Sequence, residues 1–317
     1  MAALAAGVVA GVGSWALAAP AGSAAAAAPI SLSSGGGSPV PVVAAENEYG
    51  DVASQVGGRY VQVSSIESNP NTDPHSYEVS PRVAGEVSGA RLVIQNGVGY
   101  DAFMSKIESA SPSSSRLVIN VQHLLGLPDS TPNPHLWYRP TTMPRVATSV
   151  AADLAKLDPG HAAYFEANAR RFIRSLGPWM TAIAHLKATY PGAPAATTEP
   201  VADYLLQAAG IDNLTPFAFQ ADVMNGVDPT PQDVSLERSL FSRHQVKVFV
   251  YNQQVTDSLT ESFIADAKKA GIPVVGVYET MPAPGYDYQS WMMAEVHALD
   301  QALGDRVSTV RLTGGGA

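Results

Sequence analysis

Beyond residue 41 the chain alternates short β-branched runs with stretches in which apolar residues recur at helical spacing. That alternation is the mark of parallel sheets joined by crossover helices. Runs over 42–45, 60–63, 91–95 and 116–121 predict strands, and 46–56, 81–88 and 101–109 predict helices between them. These make one α/β lobe. A further helix is predicted over 141–156, after which Asp158-Pro159 starts another, as an N-cap followed by proline at the first helical position. From 160 to 190 the apolar residues, among them Phe165, Phe172, Leu176 and Ile183, stay close to a helical period, and Gly177-Pro178 predicts a kink. A helix of this length suits a connection between lobes. The second half repeats the plan, with strands over 195–198, 246–251 and 273–277 and helices over 201–209, 231–242, 257–270 and 287–303.

The N-terminal end has a different character. The first 45 residues carry no charged side chain, 2–18 is an apolar run, and small-residue sites suited to signal peptidase follow up to about Ala28. This predicts a signal peptide over 1–28 and a flexible Ser-, Gly- and Pro-rich leader over 29–41, although the basic start usual in such signals is missing. The expected organisation continues with an N-terminal lobe over 42–158, a linker helix over 159–190 and a C-terminal lobe over 191–313.

Charge and composition narrow the chemistry. With 28 acidic and 19 basic residues, the formal charge of −9 argues against nucleic acid and anionic membranes and mildly favours cations. The absence of cysteine removes disulfides, thiolate ligands, a cysteine nucleophile and a lipid-modified N-terminal cysteine. Metal ligands would have to be His, Asp or Glu, and a periplasmic or secreted location is expected.

Four residues stand where open α/β sheets bind ligands, at or past the ends of strands. His75 and His135 each follow a proline, Pro74 and Pro134, which restricts the backbone beside the imidazole. Glu199 follows the strand ending at Thr198, and Glu279 the strand ending at Val277. Taken singly, each is a residue type common on any surface.

Taken together, Asp73-Pro74-His75-Ser76-Tyr77-Glu78, Asn133-Pro134-His135-Leu136-Trp137-Tyr138, Thr198-Glu199-Pro200 and the run from Gly271 to Thr280 that carries Glu279 are more informative. In this order, from about Val42 to Leu303, they resemble the zinc and manganese substrate-binding proteins of ABC transporters. The resemblance implies two lobes, each a small parallel sheet flanked by helices, joined by a single long rigid α-helix. It implies one divalent transition-metal ion as cargo, held by His75 and His135 from the first lobe and Glu199 and Glu279 from the second. It also implies an ABC permease and its ATPase as partners of a monomeric receptor. Zinc receptors of this family usually place histidine where Glu199 stands, and the His- and Asp-rich loop of many of them is missing. Two imidazoles and two carboxylates make a harder site, suited to Mn²⁺ or Fe²⁺, yet Zn²⁺ binds such donors more tightly than Mn²⁺.

Asp73, Glu78 and Asn133 are candidates to orient the imidazoles, and Trp137 and Tyr138 to wall the cleft. His161, His185, His244 and His297 read as surface residues, while His123 lies between a strand and the second ligand loop and could approach the metal. Arg139 departs from the family pattern, and the sequence assigns it no role. A metal-dependent hydrolase is the poorer reading, because four protein donors leave no position for an activated water and no HExxH pair occurs. A surface adhesin of the same fold and a receptor for an iron chelate would share the architecture. Neither repeats nor a cell-wall sorting tail support the adhesin, and the donor set argues against the chelate receptor.

Overall fold

The strands of each half pair into a separate sheet. A computed structural model describes residues 38–71, 74, 77, 79–282 and 284–312. The expected signal peptide, most of the leader, and His75, Asp73 and Glu78 lie outside them. The first sheet holds β1 (Val40–Glu46), β2 (Val61–Glu67), β3 (Leu92–Gln95) and β4 (Leu117–Asn120), all parallel, in the order β2-β1-β3-β4. The second holds β5 (Ala193–Thr197), β6 (Ile211–Asn213), β7 (Val248–Asn252) and β8 (Val274–Val277), parallel in the matching order β6-β5-β7-β8. In each sheet the order reverses beside the first strand, and the crevice beyond the carboxyl ends there is the natural ligand position.

Helices cover both faces, so the strands read as nearly continuous apolar runs. Val42 to Ala45 and Leu92 to Ile94 are all buried, divided between two apolar clusters on opposite faces of the first sheet. The helix α1 (Asn47–Gly57) lies so close to β2 that a Cβ on Gly50 would come within 2.0 Å of Ser65 Oγ. Glycine is required there for proximity, not for an unusual backbone angle.

After α2 (Pro81–Gly89), α3 (Ala102–Ala110), the short α4 (Val121–Leu125) and α5 (Thr142–Leu157), the connecting helix runs as α6 (Ala162–Ser175) and α7 (Gly177–Thr189). The expected kink falls at Leu176, because Pro178 has no N–H for the Arg174 carbonyl, and the ladder resumes with Met180 N–H to Leu176 O at 3.0 Å. The α6 half packs on α1 and α5, and the α7 half on α12 (Tyr288–Gly304). Between α7 and α12 come α8 (Asp203–Ala208), α9 (Phe217–Met224), α10 (Pro231–Ser242) and α11 (Ser258–Lys269). No described helix is long and apolar enough to cross a membrane.

The two halves are stitched by hydrogen bonds. Asn47 Nδ2 donates to Met281 O at 2.8 Å, and its Oδ1 accepts from Met281 N at 3.0 Å. The start of α12 meets α1, with Tyr288 N donating to Asp51 Oδ2 at 3.0 Å and Gln289 exchanging amide bonds with Gln55 at 2.8 and 2.9 Å. Tyr138 OH donates to Tyr278 O at 2.8 Å, and Tyr288 OH to Trp137 O at 2.6 Å.

Candidate metal centre

Three of the four expected ligands are described, and all three are buried where the sheets' carboxyl ends face one another. His135, Glu199 and Glu279 are 0%, 3% and 1% exposed. Glu279 follows β8 and is the hub: its Oε2 accepts from Tyr100 OH at 2.8 Å and lies 3.3 Å from His135 Nε2, while its Oε1 accepts from Asn252 Nδ2 at 2.5 Å. The same Asn252 amide donates to Glu199 Oε1 at 3.2 Å. One residue at the end of β7 therefore spaces the two carboxylates of the second lobe. Gln254 fixes the backbone of the Glu279 loop, its Oε1 accepting from Glu279 N at 2.7 Å and Thr280 N at 2.8 Å.

The protonation of His135 follows from its neighbours. Asn133 Nδ2 donates to Pro200 O at 2.7 Å, so its Oδ1 must be the atom facing His135, where it accepts from His135 N at 3.0 Å and meets Nδ1 at 2.8 Å. Nδ1 then carries the ring hydrogen. In the neutral tautomer Nε2 is left as a lone pair aimed at a carboxylate oxygen, an arrangement that a proton or a metal cation between them would resolve. Of the three candidates for orienting an imidazole, Asn133 has this role, while Asp73 and Glu78 lie outside the described residues with His75. Among the described residues no three His, Asp or Glu side chains close on one point tightly enough to hold an ion.

The family model for the periplasmic zinc-uptake complex component A matches residues 42–302. The chain belongs to that family. Among similar proteins, the manganese-binding lipoprotein MntA of Bacillus subtilis is 24% identical over 155 residues, which cover 46% of this chain and 50% of the lipoprotein. The chain thus spans about half the length of the curated relatives it matches. The SBP FpvC of Pseudomonas aeruginosa in complex with Mn²⁺ superimposes with a TM-score of 0.70 at 19% identity, covering 85% of this chain and 100% of its own. A mutant of the laminin-binding adhesin Lmb of Streptococcus agalactiae does so with a TM-score of 0.70 at 19% identity, over 83% and 99%. These structures share the two-lobed fold of this chain.

Around the centre of this family member lies an unusual density of buried acids. Glu46 pairs in register with Glu67 on the neighbouring strand, and burial, then Asp101, Glu67 and Glu48, hold its carboxyl well above the usual range. Glu48, fully buried, is likewise raised, by burial first and then by Glu279. Asp101 is raised by burial to about 6, moderated by the N–H groups of Gly97 and Asn96, which donate to it at 2.9 and 2.6 Å. Trp137 and Tyr138 are fully buried, and the Trp137 ring stands edge-on to His135 with centroids 5.4 Å apart. His123 is exposed on α4, and His161 stacks on Tyr60 and bonds Asp158 at 2.7 Å. His185, His244 and His297 are exposed, as expected.

Behind the Glu279 loop, Glu295 accepts from Trp291 Nε1 at 3.0 Å and lies 3.3 Å from Tyr138 OH, whose hydrogen goes to Tyr278 O, and burial pushes its carboxyl up to about 8. In the unfolded chain it would release its proton near pH ~4.3, so between the two values the folded state binds one more proton and stability falls as pH rises, by up to about 1.4 kcal/mol per unit. Glu295→Gln keeps the accepting oxygen and has no proton to lose. Its urea midpoint should gain on the wild type between about pH 5 and 8 and level off above, while a difference that stays flat with pH would contradict the assignment.

Proposed function

We propose that this chain is the receptor of an ABC metal-import system, taking up one divalent transition-metal ion between its lobes through His75, His135, Glu199 and Glu279. The observation that carries the reading is the His135 Nε2 lone pair held 3.3 Å from Glu279 Oε2, with Glu199 tied to the same carboxylate through Asn252. Neutral nitrogen and carboxylate oxygen are the donors that a cysteine-free chain can offer a borderline-hard cation. Mn²⁺ is the favoured cargo, since Glu199 supplies a second carboxylate and MntA is named for manganese. Zn²⁺ and Fe²⁺ compete for the same donors.

The receptor acts outside the cytoplasm, as a periplasmic or secreted monomer, and delivers its ion to a membrane permease driven by an ATPase. Carriage suits these residues better than catalysis, because a cage filled by protein donors leaves no coordination position for an activated water. A nanomolar affinity corresponds to about 12 kcal/mol, so release requires the partner to prise the lobes apart. The interlobe hydrogen bonds and the connecting helix favour a small tilt over a wide hinge.

Melting curves of the metal-free protein test this. An ion at 100 times its dissociation constant stabilises the fold by about 2.7 kcal/mol, and Mn²⁺, Zn²⁺ and Fe²⁺ should each raise the transition, Mn²⁺ at micromolar concentration or below. Acid should weaken the effect, because protons compete with the ion for Nε2. No shift with any of the three ions would end the proposal.

A further inference from the structure

Arg139 directly follows the ligand loop, yet its side chain faces away from the centre. It lines a groove of about 680 Å³ between the start of α5, the outer face of α7 and α8. The walls are largely apolar, formed by Leu127, Met180, Ile183 and Ala208, and Met180 leaves 44% of its surface exposed there. Arg139 and Lys187 are the charged residues of the lining, and no Asp or Glu contributes to it, in a chain with nine more acids than bases. Neither cation has an ion pair or a side-chain hydrogen bond with a described residue. Thr141, where α5 begins without a capping side chain, lies on the same wall.

An unpaired guanidinium and ammonium beside exposed aliphatic surface complement a molecule that is anionic at one end and apolar along its body. The volume is that of a small-molecule site. We propose that this groove binds a small organic carboxylate with an aliphatic or aromatic body, its carboxylate paired with Arg139 and Lys187 and its body lying on Met180 and Ile183. The site is separate from the metal centre but adjoins it. Tyr204 lines the groove, and its OH donates at 3.0 Å to the carbonyl of Asn133, the residue that orients His135.

Calorimetric titration of the metal-free full chain with octanoate tests the site. Octanoate should bind at submillimolar concentration, and acetate, which lacks the body, and octanamide, which lacks the charge, should each bind at least tenfold more weakly. Arg139→Gln and Met180→Glu should each weaken octanoate at least tenfold while Mn²⁺ binding in its absence stays unchanged. Should either variant fail to fold, the comparison of octanoate with octanamide on the wild type carries the test. Absence of heat up to millimolar octanoate, equal affinity for acetate, or undiminished binding by Arg139→Gln would overturn the proposal. So would Arg139-dependent binding to phosphatidylglycerol vesicles without octanoate binding, which would make the groove a lipid contact.

Discussion

Glu279→Ala is expected to weaken metal binding by at least a hundredfold. At an ion concentration that stabilises the wild type by about 2.7 kcal/mol, a hundredfold loss leaves about 0.4 kcal/mol, which in a melting experiment is close to no shift. Glu279 should show the largest effect among the described candidate ligands, because its two oxygens hold the assembly together. One meets Tyr100 and His135, and the other meets the Asn252 amide that also holds Glu199. Without it, Asn252 and His135 face a void and Glu199 loses its spacing. The variant gains from losing a buried acid close to Glu48 and loses from the void and from the Tyr100 and Asn252 donors left behind, so its metal-induced shift is read against its own metal-free midpoint. Tyr100→Phe supplies the control: it removes the hydrogen bond to Glu279 and keeps the carboxylate, so its loss of affinity should be much smaller. A Glu279→Ala protein whose metal-induced shift matches that of the wild type would remove Glu279 from the site.

Asn47→Leu is expected to destabilise the folded chain by about 2–6 kcal/mol. The Asn47 amide satisfies both the N–H and the C=O of Met281 across the lobe boundary, at 3.0 and 2.8 Å. Leucine has a similar volume and fills the space, so the cost comes from two buried backbone groups left without partners, each about 1–3 kcal/mol. Because Met281 lies two residues past Glu279, the substitution should also loosen the loop and raise the dissociation constant for the ion. Urea denaturation reads the first effect and metal titration the second. A midpoint within about 0.5 kcal/mol of the wild type would show that the clamp adds nothing, as is typical of substitutions away from such features.

The architecture was legible wherever local chemistry and tertiary packing agreed. The helix α10 begins and ends where the sequence places it, at Pro231 and Ser242, because Thr230 caps its start and proline occupies its first position. Three elements were not anticipated. Strand β6 has three residues, two of them Asp and Asn, which disfavour strands and are held there by pairing with β5. Helix α4 has five, and in α9 Gln220 and Asp222 do not separate from the apolar residues into a distinct face.

The centre was half legible in the same sense. Strand ends and preceding prolines mark His135, Glu199 and Glu279; the structure puts His135 beside Glu279 and links Glu199 to Glu279 through Asn252, while their joint role as ligands, with His75, rests on the proposal. Asn252 and Tyr100 were missed, because a strand-terminal Asn and a loop Tyr acquire their roles only when two sheets face one another. A sheet order reversing at β5 and β7 was the available signal for Asn252, but strand order is not written in spacing alone. Arg139 gave no local signal, since its surroundings are built from α7 and α8, more than forty residues further along the chain.

The contact between α1 and the start of α12 also bears on the order in which the molecule can be completed. Asp51 and Gln55 are among the first residues of the fold to be synthesised, and the groups they bond, Tyr288 N and the Gln289 amide, are among the last. A nascent chain that has reached only Tyr286 can pair both sheets and already carries the Asn47–Met281 clamp, but it lacks the second set of bonds, from Asp51 and Gln55, between the earliest helix and the second half. The carboxyl-terminal helix also covers the second sheet, with Trp291, Met292 and Leu299 in the same buried cluster as Val250 and Val277, so its loss is expected to leave the second half uncovered as well as poorly locked to the first.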